Sequence, residues 1–105
     1  MDQTVRLARL DEFGEGTMKA FEVGGERIAV AVIDGSYYGF EDACPHLQCP
    51  LSEGRLSGQT VICPCHGSEF DVTTGKRLAG PARRSLRTYS VQVSDGGLEL
   101  VTDDA

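Results

Sequence analysis

No apolar run in this chain comes near the roughly 20 residues that span a bilayer. Its start, Met1-Asp2-Gln3, lacks the basic stretch and apolar centre of an export signal. Those two absences lead to the expectation of a cytoplasmic protein without a membrane anchor. Basic residues are scarce: ten Lys and Arg stand against sixteen Asp and Glu, for a formal net charge of −6. Phosphate binding needs a basic surface, so nucleic acid is excluded as a partner. No segment carries an apolar stripe at helical spacing, and there is neither an internal repeat nor a low-complexity stretch. Histidine occurs only twice, as His46 and His66.

What is present suffices for one globular domain. The 105 residues are 40% apolar and 25% charged, an ordinary composition for a folded chain with a modest core. Turn chemistry and β-type runs alternate throughout. Thr4 to Leu10 alternates as a strand, and Asp11 to Gly16 reads as a loop. Met18 to Val23 and Arg27 to Ile33 form a hairpin through Gly24-Gly25, and Asp34-Gly35 turns the chain into Ser36 to Glu41. From Asp42 to Ala82 the apolar pieces shorten and are broken by Pro, Gly and Ser, as in a compact loop-built insertion. Within it, Ser57-Gly58 leads into Thr60 to Ile62, and Glu69 to Val72 is followed by the turn Thr73-Thr74-Gly75. The last strands are Leu86 to Val93, with Tyr89, Val91 and Val93 on one face, and Leu98 to Val101; Asp103 to Ala105 reads as a frayed tail. The expected fold is all-β, a single domain over 1–105. Residues 1–41 and 83–105 would form a base of antiparallel sheets, sandwich or barrel-like, and 42–82 a small inserted subdomain.

Charge is unevenly spread. Met1 to Asp42 hold nine acids and four bases, whereas Lys76, Arg77, Arg83, Arg84 and Arg87 form a basic run with no acid inside it. That run reads either as a solvated strand and loop face or as a docking rim for an acidic redox partner.

Two short segments concentrate the chemistry. Cys44-Pro45-His46 and Cys63-Pro64-Cys65-His66 contain three of the four cysteines and both histidines. They read as C-x-H and C-x2-H with sixteen residues between them, each opening a proline-bearing loop. Two thiolates with two imidazoles can hold a 2Fe-2S cluster, sulfur on one iron and nitrogen on the other. The same four donors can hold zinc, but small zinc sites usually pair Cys with Cys and His with His across a strand pair and a helix. Here the donor types interleave and no helix is expected.

Beyond these ligands, Cys44-Pro45-His46-Leu47-Gln48-Cys49 and Cys63-Pro64-Cys65-His66-Gly67-Ser68 resemble the two cluster loops of Rieske proteins, of the subtype found in quinol-oxidising cytochrome complexes. The resemblance covers Cys44 to Ala82 and implies a Rieske-type 2Fe-2S cluster, making 42–82 the cluster-binding subdomain. It implies Cys44 and Cys63 on the buried ferric iron, and His46 and His66 on the outer iron near the surface. It also implies a Cys49–Cys65 disulfide between the loops and a hydroxyl donated by Ser68 to a bridging sulfide. Gly80-Pro81-Ala82 falls where such proteins carry a proline loop over the cluster. Phe70 departs from the pattern: high-potential members have a tyrosine there whose hydroxyl bonds a ligand sulfur. The outer imidazole nitrogens would be able to lose a proton, so the potential is expected to fall at alkaline pH. Disulfides are rare in reducing cytosol, so Cys49 and Cys65 as reduced core residues is the competing reading of that pair.

By this resemblance the protein is a soluble Rieske-type ferredoxin. It would be a monomer passing single electrons from a reductase to a terminal oxidoreductase such as an oxygenase. Oxygenase ferredoxins are similar in size, though many lack the two extra cysteines. A Rieske oxygenase subunit would need two further histidines and a carboxylate for a mononuclear iron, and no histidine remains beyond His46 and His66, so no turnover of its own is expected. The other readings are a small subunit of a larger oxidoreductase, resembling those of nitrite reductases or arsenite oxidases, and a zinc-binding β-domain. Leu47, the Pro81 loop and the arginine run are the expected contact residues.

Overall fold

Three tight hairpins of the large sheet are each closed by a residue pair with positive φ. The structure, a computed structural model, describes residues 2–45, 48–65 and 67–103. Six strands make the first sheet: β1 (Asp2–Arg9), β2 (Met18–Val23), β3 (Glu26–Ile33), β4 (Ser36–Glu41), β9 (Thr88–Ser94) and β10 (Gly97–Asp103). Their order is β1-β10-β9-β4-β3-β2, antiparallel throughout, and the sheet curls into a nearly closed barrel. At Asp34-Gly35 and Asp95-Gly96 both turn residues have positive φ, 51° and 77° in the first and 51° and 72° in the second. That backbone matches the twist of the flanking strands, and Asp and Gly are among the residues that tolerate it.

The second sheet is smaller, with order β5-β6-β7-β8. It consists of β5 (Arg55–Ser57), β6 (Thr60–Ile62), β7 (Glu69–Asp71) and β8 (Arg77–Ala79). The insertion is thus built on a four-stranded sheet rather than on loops alone. β5 and β8 were not expected from sequence; at three residues each they are too short to show an alternation and are defined by their partners. Smaller differences fall at element ends. Leu10–Glu12 is a 3-10 turn, the strand expected from Leu86 begins at Thr88, and Asp103 belongs to β10 rather than to a tail. Asp104 and Ala105 lie outside the described residues. Among the described residues there is no helix long and apolar enough to cross a membrane.

β3 joins the two sheets. Ile28 to Ile33 are all buried, so this strand has apolar neighbours on both faces. Ala29, Ala31 and Ile33 share a core cluster with Phe40, Leu51, Val61, Phe70, Val72, Ala82 and Leu86, and with Cys44 and Cys63. Ile28, Val30 and Val32 point to the opposite face by strand alternation, the side of the curled sheet that also buries Leu98 and Leu100. The two thiols therefore sit in the seam between sheets rather than on a surface loop.

Candidate metal centre

The ligand loops share one backbone framework. In the first, between β4 and β5, Cys44 N donates to Cys49 O at 2.8 Å and Gln48 N donates to Cys44 O at 2.7 Å. In the second, between β6 and β7, Cys63 N donates to Ser68 O at 2.8 Å and Gly67 N donates to Cys63 O at 3.2 Å. Cysteine opens each loop and proline follows it. The fifth residue is left-handed in both, Gln48 at φ 60° and Gly67 at φ 77°. Glycine takes that conformation without cost, whereas for Gln48 it costs about 1 kcal/mol. Sequence reading missed this twinning, because only the shared Cys-Pro pair signals it; the other positions differ in residue type.

Both opening cysteines are buried, Cys44 1% and Cys63 4% exposed, and neither is in a disulfide. Cys49 and Cys65 are bonded to each other with Cα atoms 6.4 Å apart, which joins the sixth position of one loop to the third of the other. Cys65 is exposed and Cys49 half-buried. His46, His66 and Leu47 lie outside the described residues. The fold brings Cys44 and Cys63 into one core cluster.

Ser68 is fully buried, and its Oγ accepts the Ala82 N–H at 2.9 Å. A hydroxyl that accepts this bond keeps its own hydrogen for a second partner. The same bond ties the second loop to the Gly80-Pro81-Ala82 segment. The two buried soft thiols are half of the four donors a 2Fe-2S cluster takes, and their chemistry fits that group. Phe70 is fully buried in β7 opposite Val61, in the core cluster that holds both thiols.

Two carboxylates, unmarked by sequence reading, brace the site. Asp42 is fully buried; it accepts Ser52 N at 2.7 Å and Ser52 Oγ at 2.8 Å, with Arg27 Nη2 at 3.6 Å. It thereby ties the residue preceding the first loop to the 3-10 turn Leu51–Glu53 that follows it. Glu41 accepts Arg84 Nη1 at 2.9 Å, Arg84 Nη2 at 2.8 Å and the Arg87 N–H at 3.1 Å. Burial pushes the Glu41 carboxyl up, but the Arg84 and Arg87 donors outweigh it and hold the group below the usual carboxylate range. The arginine run is therefore not uniform. Arg84 is bound to Glu41, and Arg87 Nη1 lies 3.6 Å from Glu26.

A comparison with family models matches residues 3–90 to the Rieske [2Fe-2S] domain. The chain is 35% identical over 91 residues to the ferredoxin component of the naphthalene 1,2-dioxygenase/salicylate 5-hydroxylase systems of a Ralstonia species, covering 87% of this chain and 88% of that one. Among solved structures it is similar to the ferredoxin of carbazole 1,9a-dioxygenase from Nocardioides aromaticivorans, with a TM-score of 0.88 and 31% identity over 92% of this chain and 95% of that one. It is also similar, at TM-score 0.86 and 31% identity over 92% and 91% of the two chains, to a chain in the complex of reduced oxygenase and oxidised ferredoxin of carbazole 1,9a-dioxygenase.

Proposed function

We propose that this chain, which belongs to the Rieske [2Fe-2S] domain family, is the ferredoxin of an oxygenase system, carrying single electrons from a reductase to the terminal oxygenase. The observation that carries this reading is the pairing of two buried thiols, Cys44 and Cys63, at the heads of twin loops joined by a disulfide. Cys44 and Cys63 would hold one iron of the Rieske-type cluster, and His46 and His66 the other. When bound, that cluster supplies one reversible electron at a higher potential than an all-cysteine cluster, because neutral imidazoles replace two anionic sulfurs.

The chain's own residues orient and protect the site. Ser68 accepts the Ala82 N–H, and its own hydrogen would be free to bond a sulfide of the bound cluster, which would favour the reduced state. Asp42 pins the first loop to the turn that follows it, and the Cys49–Cys65 bond joins the two loops. The two-cysteine loops resemble the quinol-oxidising subtype, although the relatives named above are oxygenase ferredoxins. Residues 42–82 serve as the cluster-binding subdomain within a single domain 1–105. With both histidines used as ligands, the protein has no catalytic centre of its own.

Anaerobic titration with dithionite, followed by mixing with a one-electron acceptor, tests the reading. The expected result is two iron, two inorganic sulfide and one reversible electron per chain, without oxygenation of an aromatic hydrocarbon by the protein alone. An electron count of zero, or turnover without an oxygenase component, would overturn it.

A further inference from the structure

The segment from Lys76 to Arg87 holds five bases and no acid, while the rest of the chain carries five bases against sixteen acids. The fold brings the two halves of this segment together. Arg77 N donates to Ser85 Oγ at 3.0 Å and Leu86 N donates to Gly75 O at 2.8 Å, so the stretches 75–79 and 83–87 run side by side. Arg84 is taken up by Glu41 and Arg87 by Glu26. Among the described residues, Lys76, Arg77 and Arg83 are exposed and have no acidic partner within ion-pair distance.

An apolar element lies within this basic segment. Leu78 is 49% exposed, and a notch of about 410 Å³ is lined by Pro45, Pro81, Arg83 and Arg84. Pro45 directly follows Cys44 in the first loop. Pro81 directly precedes Ala82, whose N–H is bound to Ser68 of the second loop. The notch therefore straddles the segments that enclose the candidate cluster site. Two proline rings with a guanidinium at the rim suit a carboxylate side chain, its stem on the rings and its oxygens on Arg83.

On the premise of the electron-carrier reading, we propose that this segment docks an acidic surface of the redox partner protein. A partner carboxylate enters the Pro45–Pro81 notch to meet Arg83, while Lys76 and Arg77 attract the surrounding acids. The acidic remainder of the molecule repels the same partner, so attraction and repulsion together select the orientation that presents the cluster edge. Small, polar, transient interfaces of this kind suit electron transfer, because the partner must leave after each electron.

The test uses the dithionite-reduced holoprotein and two small oxidants, anionic ferricyanide and cationic hexaammineruthenium(III). Each takes one electron from the protein and is itself reduced by one. A local basic face predicts a ferricyanide rate constant that falls about threefold or more between roughly 10 mM and 300 mM salt, and a hexaammineruthenium rate constant that rises. Calorimetric binding of poly-L-glutamate at low salt is the second readout. Arg83→Glu is expected to abolish that binding and flatten the ferricyanide salt dependence. Arg55→Glu, the same charge change on exposed β5, is expected to leave both in place. If the net charge of −6 governs instead, ferricyanide oxidation accelerates with salt, poly-L-glutamate does not bind, and the docking proposal is overturned. A protein that accepts no electron from dithionite overturns the electron-carrier reading, and the proposal with it.

Discussion

Phe70 has no polar atom where the resemblance places a tyrosine hydroxyl, and its surroundings make the consequence measurable. It is fully buried in the core cluster that contains Cys44 and Cys63. A hydroxyl introduced there must find an acceptor, and the ligand thiolates are the expected one. Such a bond strengthens as negative charge accumulates on sulfur, so it favours the reduced state. At about 1 kcal/mol for the bond and 59 mV per tenfold for one electron, Phe70→Tyr should raise the potential by roughly 40 mV. Protein-film voltammetry reads this directly, and an unchanged or lowered potential would reject the account. At this scale ligand spacing marks Cys44 and Cys63, whereas the Cys49–Cys65 bond was implied only by the family resemblance, against the competing reading of two reduced core residues. Asp42 and Glu41 were not marked, because their partners lie 10 and 43 residues away and nothing local announces a buried carboxylate.

At the end of β4 the chain must hand over from a regular strand to the first ligand loop, and Glu41 holds that junction to the stretch that follows Pro81. Glu41 N donates to Arg87 O at 2.9 Å while its carboxylate takes both Arg84 nitrogens. Its folded pKa lies below the unfolded value, so the ion pair adds stability that is fully present above the ordinary carboxylate range. That stability is lost as pH falls through the depressed folded value. Arg84 is half-exposed, which discounts the pair to about 1 kcal/mol. Glu41→Gln should lower the thermal midpoint by roughly 4–8 °C at pH 7 and by progressively less below the usual carboxylate pKa. Thermal scans of both proteins at neutral and acid pH check this, and a deficit of undiminished size in acid would contradict it. The elements most legible in sequence were the hairpins closed by Gly24-Gly25 and Asp34-Gly35, where turn chemistry sets the register. β5 and β8 were illegible because three residues carry no period; they exist through the register Arg55↔Ile62 and Glu69↔Ala79.

Over the whole molecule, a curled six-stranded sheet supports a four-stranded one, and β3 supplies apolar contacts to both. The all-β class was legible from alternating runs and frequent turns. A barrel-like base was among the expected forms, but the pairings that close it were not legible, because β1–β10 and β4–β9 join across distances in sequence that no local signal spans. The uneven charge was visible along the chain, but its division into paired Arg84 and Arg87 and exposed Lys76, Arg77 and Arg83 depends on that folding. These features serve the proposed arrangement, in which sulfur would ligate one iron and ring nitrogen its neighbour, and the incoming electron would settle on the nitrogen-ligated iron. Electron paramagnetic resonance of the dithionite-reduced protein tests that arrangement most directly. The account predicts an average g value below that of an all-cysteine 2Fe-2S cluster, with hyperfine coupling to two nitrogen donors, one of which is lost in each of the His46→Cys and His66→Cys variants. An all-cysteine signature in the native protein, or a signal unaltered by those substitutions, would contradict it.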